Sequence, residues 1–143
     1  MSDPYGPPPG GYGQYGNAGQ PGPASPDDRT WAMVAHIGSL VTAWFAFGFL
    51  APLLVMLVKG DSPFVRRHAV ESLNFQISML IYSVVGAVLA FLVVLVTFGL
   101  GALVLIPLLV VVLLYLLFAV IQATVRASNG DDYRYPFTLR FIS

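Results

Sequence analysis

Two long stretches of the chain carry no Asp, Glu, Lys or Arg, and they constrain its fold more than any other feature. One covers the 29 residues from Thr30 to Val58 and the other covers the 54 residues from Ser72 to Val125. Membrane-crossing helices require such uncharged apolar runs, whereas soluble domains of this size do not contain them. The sequence therefore predicts an all-α integral membrane protein, with three to four transmembrane or half-spanning helices after a disordered N-terminal tail.

The composition excludes several classes of function. Charged residues make up 10% of the chain, against about 25% in an ordinary soluble domain. Seven Lys and Arg residues balance seven Asp and Glu residues, so the chain lacks the basic excess of a nucleic-acid-binding protein. The absence of cysteine excludes disulfides, thiolate metal sites and cysteine nucleophiles.

The longer uncharged run predicts two membrane helices joined by a tight turn. As α-helix its 54 residues would extend about 81 Å, which allows two crossings of a hydrocarbon core about 30 Å thick. The two glycines among residues 97–101 permit the chain to reverse. With Ser62 as N-cap and Pro63 as first helical residue, we predict helices over residues 63–97 and 102–126.

The shorter uncharged run leaves two alternatives open. Its 29 residues exceed one upright crossing, but two full crossings need roughly 40 residues. It forms either one tilted transmembrane helix or a hairpin of two short helices broken around residues 46–48. We favour the hairpin, with helices over residues 26–44 and 47–59, because Pro52 is consistent with a new helix that begins near the break.

The basic residues predict how the protein lies across the membrane. The loop over residues 59–67 and the chain from Arg126 onwards are separated by two crossings, so they lie on one side and hold six of the seven basic residues. The turn at residues 97–101 is uncharged. The positive-inside rule therefore places the C-terminus in the cytoplasm. The N-terminus, with Arg29, joins it in the hairpin alternative, and we expect a multi-pass protein of the bacterial cytoplasmic (inner) membrane.

Residues 1–28 form a separate compositional block. Seven of the 14 glycines and seven of the 11 prolines precede Thr30. This block has too few aliphatic side chains to offset the entropy of ordering, so we predict a disordered tail, with the helical membrane domain over residues 29–143. The block lacks the pattern of a signal peptide. A solvated tail without a specific ligand is favoured over a tail that recruits a partner.

Polar side chains recur at four-residue spacing on the predicted third helix. Asn74, Ser78 and Tyr82 share one face with Glu71, which lies one turn earlier. On a membrane helix such a stripe is expected to face other helices, either as interhelical hydrogen bonds or as the wall of a polar vestibule. We favour the hydrogen bonds and expect Asn74 to pair with Gln122. The members of the predicted polar interhelical cluster are His36, His68, Glu71, Asn74, Gln76 and Gln122.

A metal or proton-relay interpretation of the histidines is not favoured. His68 and Glu71 are three residues apart, and His36 is the other histidine. These side chains could hold zinc only if all three converged, and their spacing is not that of a known zinc motif. The chain also shows no nucleophile elbow, phosphate-binding glycine loop or metal quartet. We therefore expect no enzymatic activity, no metal and no cofactor.

The C-terminal segment mixes aromatic and basic residues. Tyr and Arg that follow a membrane helix typically anchor a protein at the level of the lipid headgroups. The segment is short and follows the last helix directly, which favours an interfacial role over nucleic-acid binding. The predicted interfacial anchors are Tyr133, Arg134, Tyr135 and Arg140.

Three separated motifs suggest a family. They cover residues 29–36, residues 62–78 and residues 129–142. In this order they resemble the small bacterial membrane family called the forty-eight-seventy domain of unknown function, which is grouped distantly with the Tic-twenty component of the chloroplast inner-envelope import machinery. The resemblance implies a four-helix membrane protein with both ends on the inner side and with no assigned role, not an import channel.

Two functions are carried forward from the sequence. The favoured one is a non-catalytic polytopic membrane protein that acts as a subunit or scaffold of a membrane assembly. Its partners would be the lipid bilayer and either another membrane protein or itself, with no nucleic acid and no small-molecule ligand. The alternative is a small homo-oligomeric transporter or pore with a polar vestibule on the cytoplasmic side, lined by residues of the polar cluster.

Overall fold

The computed structural model describes residues 22–43 and 48–143. Within these ranges the regular structure is α-helical, without strands, so the prediction of an all-helical chain is confirmed. The helices described there are α1 (Pro26–Ala43), α2 (Leu50–Lys59), α3 (Pro63–Val96) and α4 (Ala102–Asn129). The predictions for residues 1–21, and for a helix break at residues 46 and 47, concern residues outside the described ranges.

The helices begin and end where local groups satisfy their free backbone atoms. Ser25 Oγ accepts the backbone N–H of Asp28 at 3.1 Å at the start of α1. Ser62 Oγ accepts the backbone N–H of Val65 at 3.5 Å at the start of α3. Gly130 follows α4 with φ of +83°, a left-handed conformation that glycine adopts without a steric penalty. With this cap α4 ends at Asn129, three residues beyond its predicted end at residue 126.

Helices α1 and α2 form an antiparallel hairpin. At its open end, Lys59 Nζ donates to Asp27 Oδ2 at 2.8 Å, and towards its turn Gly38 lies against Ala51. The alternative of one continuous helix over the shorter uncharged run is therefore excluded. The hairpin packs beside the N-terminal half of α3, in a buried cluster of small and β-branched residues. Its members are Ala35, Val55, Val65 and Ala69.

The hairpin accompanies α3 along only part of its length. Gly48, which precedes α2, lies beside Gln76, since a Cβ on Gly48 would come within 2.5 Å of Gln76 Oε1. Over residues 80–118 most side chains of α3 and α4 are exposed, and Val96 and Leu103 are 75% and 73% exposed. By length and composition, α3 and α4 can each cross a membrane.

The described part of the molecule therefore has two regions. We call residues 22–43, 48–79 and 119–143 the compact end, and residues 80–118 the two-helix end. Every buried residue in the described ranges belongs to the compact end. The charged residues of those ranges belong to it as well.

Gly38 permits the close approach of α1 to α2 and provides a test of the hairpin. A Cβ at Gly38 would stand 2.9 Å from the Cβ of Ala51, closer than two carbon atoms pack. We expect Gly38→Val to lower the free energy of unfolding by about 1–3 kcal/mol, because overpacking forces the helices apart. Gly86→Val is the matched control, since a Cβ there would meet nothing within 4 Å. Thermal unfolding in detergent compares the variants, and a Gly38→Val protein as stable as the unsubstituted chain would contradict the packing.

Candidate functional site at the compact end

The N-terminal half of α3 binds the C-terminal segment, residues 130–143. This segment lacks helix and strand, so its backbone groups need other partners. Asn74 supplies them, because its Oδ1 accepts the N–H groups of Phe141 and Ile142, both at 2.9 Å. Its Nδ2 donates to the carbonyl oxygen of Ile142 at 2.9 Å. A single buried side chain thus fixes three consecutive peptide units.

The rest of the polar stripe on α3 serves the same segment. Ser78 Oγ accepts the N–H of Leu139 at 2.8 Å, and the Tyr82 hydroxyl donates to the carbonyl oxygen of Phe137 at 2.9 Å. The prediction that this stripe faces other helices is therefore wrong. The non-helical segment has more unpaired backbone groups than a neighbouring helix, and the polar stripe pairs with them.

Glu71 is the buried acid of the site. Its Oε1 accepts the backbone N–H of Tyr135 at 2.8 Å and lies 3.4 Å from a guanidinium nitrogen of Arg140. A buried carboxylate is tolerated when it is paired and hydrogen-bonded in this way. Other ion pairs at the compact end are exposed and contribute little to stability. They join Lys59 to Asp27, Arg67 to Asp132 and Arg126 to Asp131.

A buried hydrogen-bonded chain connects α1, α3 and the C-terminal segment. His36 Nε2 lies 2.8 Å from His68 Nδ1, and His36 Nδ1 lies 3.1 Å from the Tyr135 hydroxyl. All three side chains are at most 2% exposed. Polar groups this deeply buried are costly unless they are paired, so the chain holds the three elements in register.

The hydroxyl group of Tyr135 determines which atom is the donor in each hydrogen bond of this chain. Among the described residues, the only hydrogen-bond partner of the Tyr135 hydroxyl is His36. We therefore assign the Tyr135 O–H as donor to His36 Nδ1, and the His36 Nε2–H as donor to His68 Nδ1. The His68 proton then lies on Nε2, which has no hydrogen-bond partner in the described ranges and is 4.0 Å from Asp132 Oδ1.

Burial determines the protonation state of the two members of this hydrogen-bonded chain that lie outside α3 and α4, His36 and Tyr135. Burial, and to a lesser degree His68, lowers the pKa of His36 to about 3. Burial also raises the pKa of Tyr135, with smaller contributions from Tyr133 and Glu71. Near neutral pH, His36 is therefore uncharged and Tyr135 keeps its proton, as the assigned direction requires.

A cleft of about 900 Å³ separates α3 from α4 at the two-helix end. Its walls are mostly apolar and include Gly86 and Ala90 of α3 and Leu109 of α4. Gln76 and Gly48 line it where it meets the compact end. The cleft therefore offers apolar surface rather than a polar route.

The structure brings five of the six predicted cluster residues together around the C-terminal segment. They are His36, His68, Glu71, Asn74 and Gln122. Gln122 Oε1 accepts from the Tyr133 hydroxyl at 3.1 Å, whereas Gln76 lies apart at the cleft. The predicted pairing of Asn74 with Gln122 is wrong, because the C-terminal segment occupies the amide of Asn74.

The predicted interfacial anchors differ in their surroundings. Arg134 is exposed and Arg140 contacts Glu71. Tyr135 is 2% exposed and stacks on Phe75 with ring centroids 3.9 Å apart, so its prediction as an interfacial anchor is wrong. The alternation of Tyr133 and Tyr135 around Arg134 was the sequence signal for this burial. Alternate residues of an extended segment face the same side, so the two tyrosines face the protein while Arg134 faces away from it.

The geometry gives no support to a metal at the histidines. Both ring nitrogens of His36 are engaged in hydrogen bonds. In residues 22–43 and 48–143, no group of three or more His, Cys, Asp or Glu side chains could hold a metal ion. The arrangement is suited to holding the C-terminal segment rather than to coordinating an ion.

Residues 27–142 match the sequence profile of the magnetosome magnetite crystal formation protein family, MamF/MmsF. The matched range includes α2, α3, α4 and almost all of α1 and the C-terminal segment. No curated protein and no solved structure matches the chain. The family match overturns the resemblance to the forty-eight-seventy domain of unknown function and to Tic-twenty, which was drawn from motifs within the same range.

Proposed function

The chain belongs to the magnetosome magnetite crystal formation protein family, and on that premise we propose that it is a non-catalytic membrane scaffold in the assembly that forms magnetite crystals. Its two apolar helices anchor it in the magnetosome membrane, and its compact end presents a fixed polar surface to other proteins there. One observation carries the proposal. Charged residues of the described ranges belong to the compact end, whereas the two-helix end is apolar and exposed.

The helix lengths support a specific depth in the bilayer. The turn at residues 97–101 has backbone groups that need water, so we place it among the headgroups of the far leaflet. From Val96 back to Gln76, about 20 residues of α3 extend about 30 Å, the thickness of the hydrocarbon core. The near edge of the core then lies beside Gln76, level with the hairpin turn. At this depth neither α1 nor α2 crosses, and His36 lies outside the hydrocarbon.

The distribution of basic residues supports an orientation. All seven Lys and Arg residues belong to the compact end, and the turn at residues 97–101 has none. Under the positive-inside rule the compact end faces the cytoplasm, with the start of α1 and the C-terminal segment on that side. The membrane is then the cytoplasmic membrane or one derived from it with the same sidedness.

The alternative of a transporter or pore has less support. Five of the six polar side chains that would line its route are bonded to one another or to the C-terminal segment, as with Asn74 and Glu71. The cleft between α3 and α4 has mostly apolar walls. Liposomes that contain the purified protein alone are therefore expected to show no increase in ion flux.

The role in crystal formation is tested by deletion. In a magnetite-forming bacterium that carries this protein, we expect deletion to change the number, size or shape of the crystals seen by electron microscopy. Re-expression of the Asn74→Ala variant should restore the crystals less well than Asn129→Ala, a matched change at an exposed residue of α4. Unchanged crystals after deletion would contradict the proposed role, and ion flux in liposomes would favour the pore.

A further inference from the structure

The outward face of the α1–α2 hairpin is apolar, although the hairpin belongs to the compact end. On α2, Leu54, Leu57 and Val58 are 51%, 71% and 61% exposed. The described residues from Thr30 to Val58 include no charged side chain. On α1 the exposed apolar residues lie on one face. They are Val34, Ile37, Leu40 and Val41.

Lipid is the occupant that fits this face. The face continues the exposed apolar surface of the two-helix end, since Phe49 at the hairpin turn and Leu80 of α3 line the same cleft. The end of this face at Phe49 and Leu50, which are 40% and 39% exposed, adjoins Gly48 and Gln76, where the near edge of the hydrocarbon core is proposed. This end of the hairpin therefore lies at the boundary between acyl chains and headgroups, where apolar helical surface inserts.

The protein therefore has unequal cross-sections in the two leaflets. The far leaflet accommodates α3 and α4 alone. On the near side, the hairpin and the C-terminal segment pack around the same two helices. Apolar helical surface buried about 5–10 Å into one headgroup layer expands that layer, and a membrane with one expanded leaflet bends so that this leaflet is convex.

We propose that the α1–α2 hairpin acts as a wedge in the headgroup layer of the near leaflet, so that the protein accumulates on membranes that are convex on the side of its compact end. The partner surface is a strongly curved lipid bilayer. The inference requires α3 and α4 to be inserted, but it does not depend on a role in crystal formation.

The test measures sorting between flat and curved membrane. An Asp61→Cys variant of the full chain is reconstituted into giant vesicles of phosphatidylcholine with a minority of phosphatidylglycerol. The chain has no other cysteine, so an impermeant maleimide dye marks only molecules whose compact end faces outward. Thin tubes are pulled from the vesicles, and protein density in the tube is compared with density in the vesicle wall. We expect an enrichment of about twofold or more in the tube, rising as the tube narrows.

Molecules of opposite orientation provide an internal control. For this control the protein is labelled before reconstitution, and an impermeant reagent then quenches the dye that faces outward. The remaining signal comes only from molecules whose compact end faces inward. These molecules meet a concave leaflet in the tube, so they should be depleted there. A density ratio of one in both orientations, or enrichment in both, would overturn the proposal. Absence of membrane-inserted dye would instead refute the two-helix anchor on which the proposed function rests.

Variants of the hairpin face separate the wedge from the anchor. Leu54→Gln with Leu57→Gln makes the outward face of α2 polar without touching the buried cluster, so tube enrichment should fall towards a ratio of one. Leu54→Met with Leu57→Met keeps the face apolar and should retain the enrichment. Circular dichroism should show both variants folded, because the two residues are exposed. Equal enrichment of the Gln and Met variants would contradict the wedge.

Discussion

Replacing Asn74 by alanine is expected to release the C-terminal segment from α3 and to lower the free energy of unfolding by about 2–4 kcal/mol. The side chain makes three hydrogen bonds to the backbone of Phe141 and Ile142. Its removal leaves two N–H groups and one carbonyl without these partners, and each unsatisfied group costs about 1–3 kcal/mol when buried. Hydrogen exchange measures the effect directly, and the amides of Phe141 and Ile142 should exchange much faster in the variant.

Two comparisons make this result specific. Asn129→Ala removes the same side chain from an exposed position of α4, so it should change neither exchange in the segment nor stability by more than about 0.5 kcal/mol. Asn74→Asp keeps one accepting oxygen but places a buried carboxylate oxygen against the carbonyl oxygen of Ile142, so at neutral pH it should destabilise the segment at least as much as alanine. Unchanged exchange at residues 141 and 142 in the Asn74→Ala variant would show that this side chain does not hold the segment.

Acid should destabilise the compact end through His36. The pKa of this histidine is lowered from 6.5 to about 3 in the folded chain. Between these values the unfolded chain binds the proton and the folded chain does not, so stability is complete above pH 6.5 and is lost as the pH falls towards 3. From about pH 7.5 to about pH 4 the free energy of unfolding should fall by roughly 2–4 kcal/mol. Denaturant unfolding in detergent at a series of pH values measures this slope.

The groups that face His36 are His68 of α3 and Tyr135 of the C-terminal segment, with Asp132 4.0 Å beyond His68. Replacing His36 by glutamine removes one titrating group, so the slope should decrease by up to about 1.4 kcal/mol per pH unit. Tyr135→Phe keeps that group but leaves His36 Nδ1 without its donor. This variant should lose about 1–3 kcal/mol at every pH and keep a steep acid dependence. Identical slopes for the His36→Gln variant and the unsubstituted chain would exclude His36 as the cause.

Local chemistry in the sequence predicted the helices well. The Ser62 hydroxyl caps the start of α3, as its place before Pro63 predicted. Such signals depend only on neighbours along the chain. Helix length gave a further constraint, because the shorter uncharged run has too few residues for two crossings, and the structure folds it as a short hairpin beside α3.

The arrangement of the site could be predicted only in part. The spacing of Glu71, Asn74 and Ser78 correctly put these residues on one face of α3, but sequence spacing does not reveal what lies opposite. Their partners are more than 60 residues away in the C-terminal segment. Tyr135 was assigned to the interface because Tyr next to Arg is common there, whereas its ring fills a space against Phe75 that only the tertiary fold creates.

The central claim is that a compact charged end lies on one side of a membrane and is anchored by two helices. The most direct measurement is labelling of single-cysteine variants by an impermeant maleimide, in intact cells and after permeabilisation, with the protein expressed in the cytoplasmic membrane of a bacterium that forms no magnetosomes. Asp61→Cys and Asp132→Cys should label only after permeabilisation, whereas Leu100→Cys, in the turn between α3 and α4, should label in intact cells. Labelling of Asp61→Cys and Asp132→Cys from opposite sides, or of Leu100→Cys from the same side as both, would contradict the account.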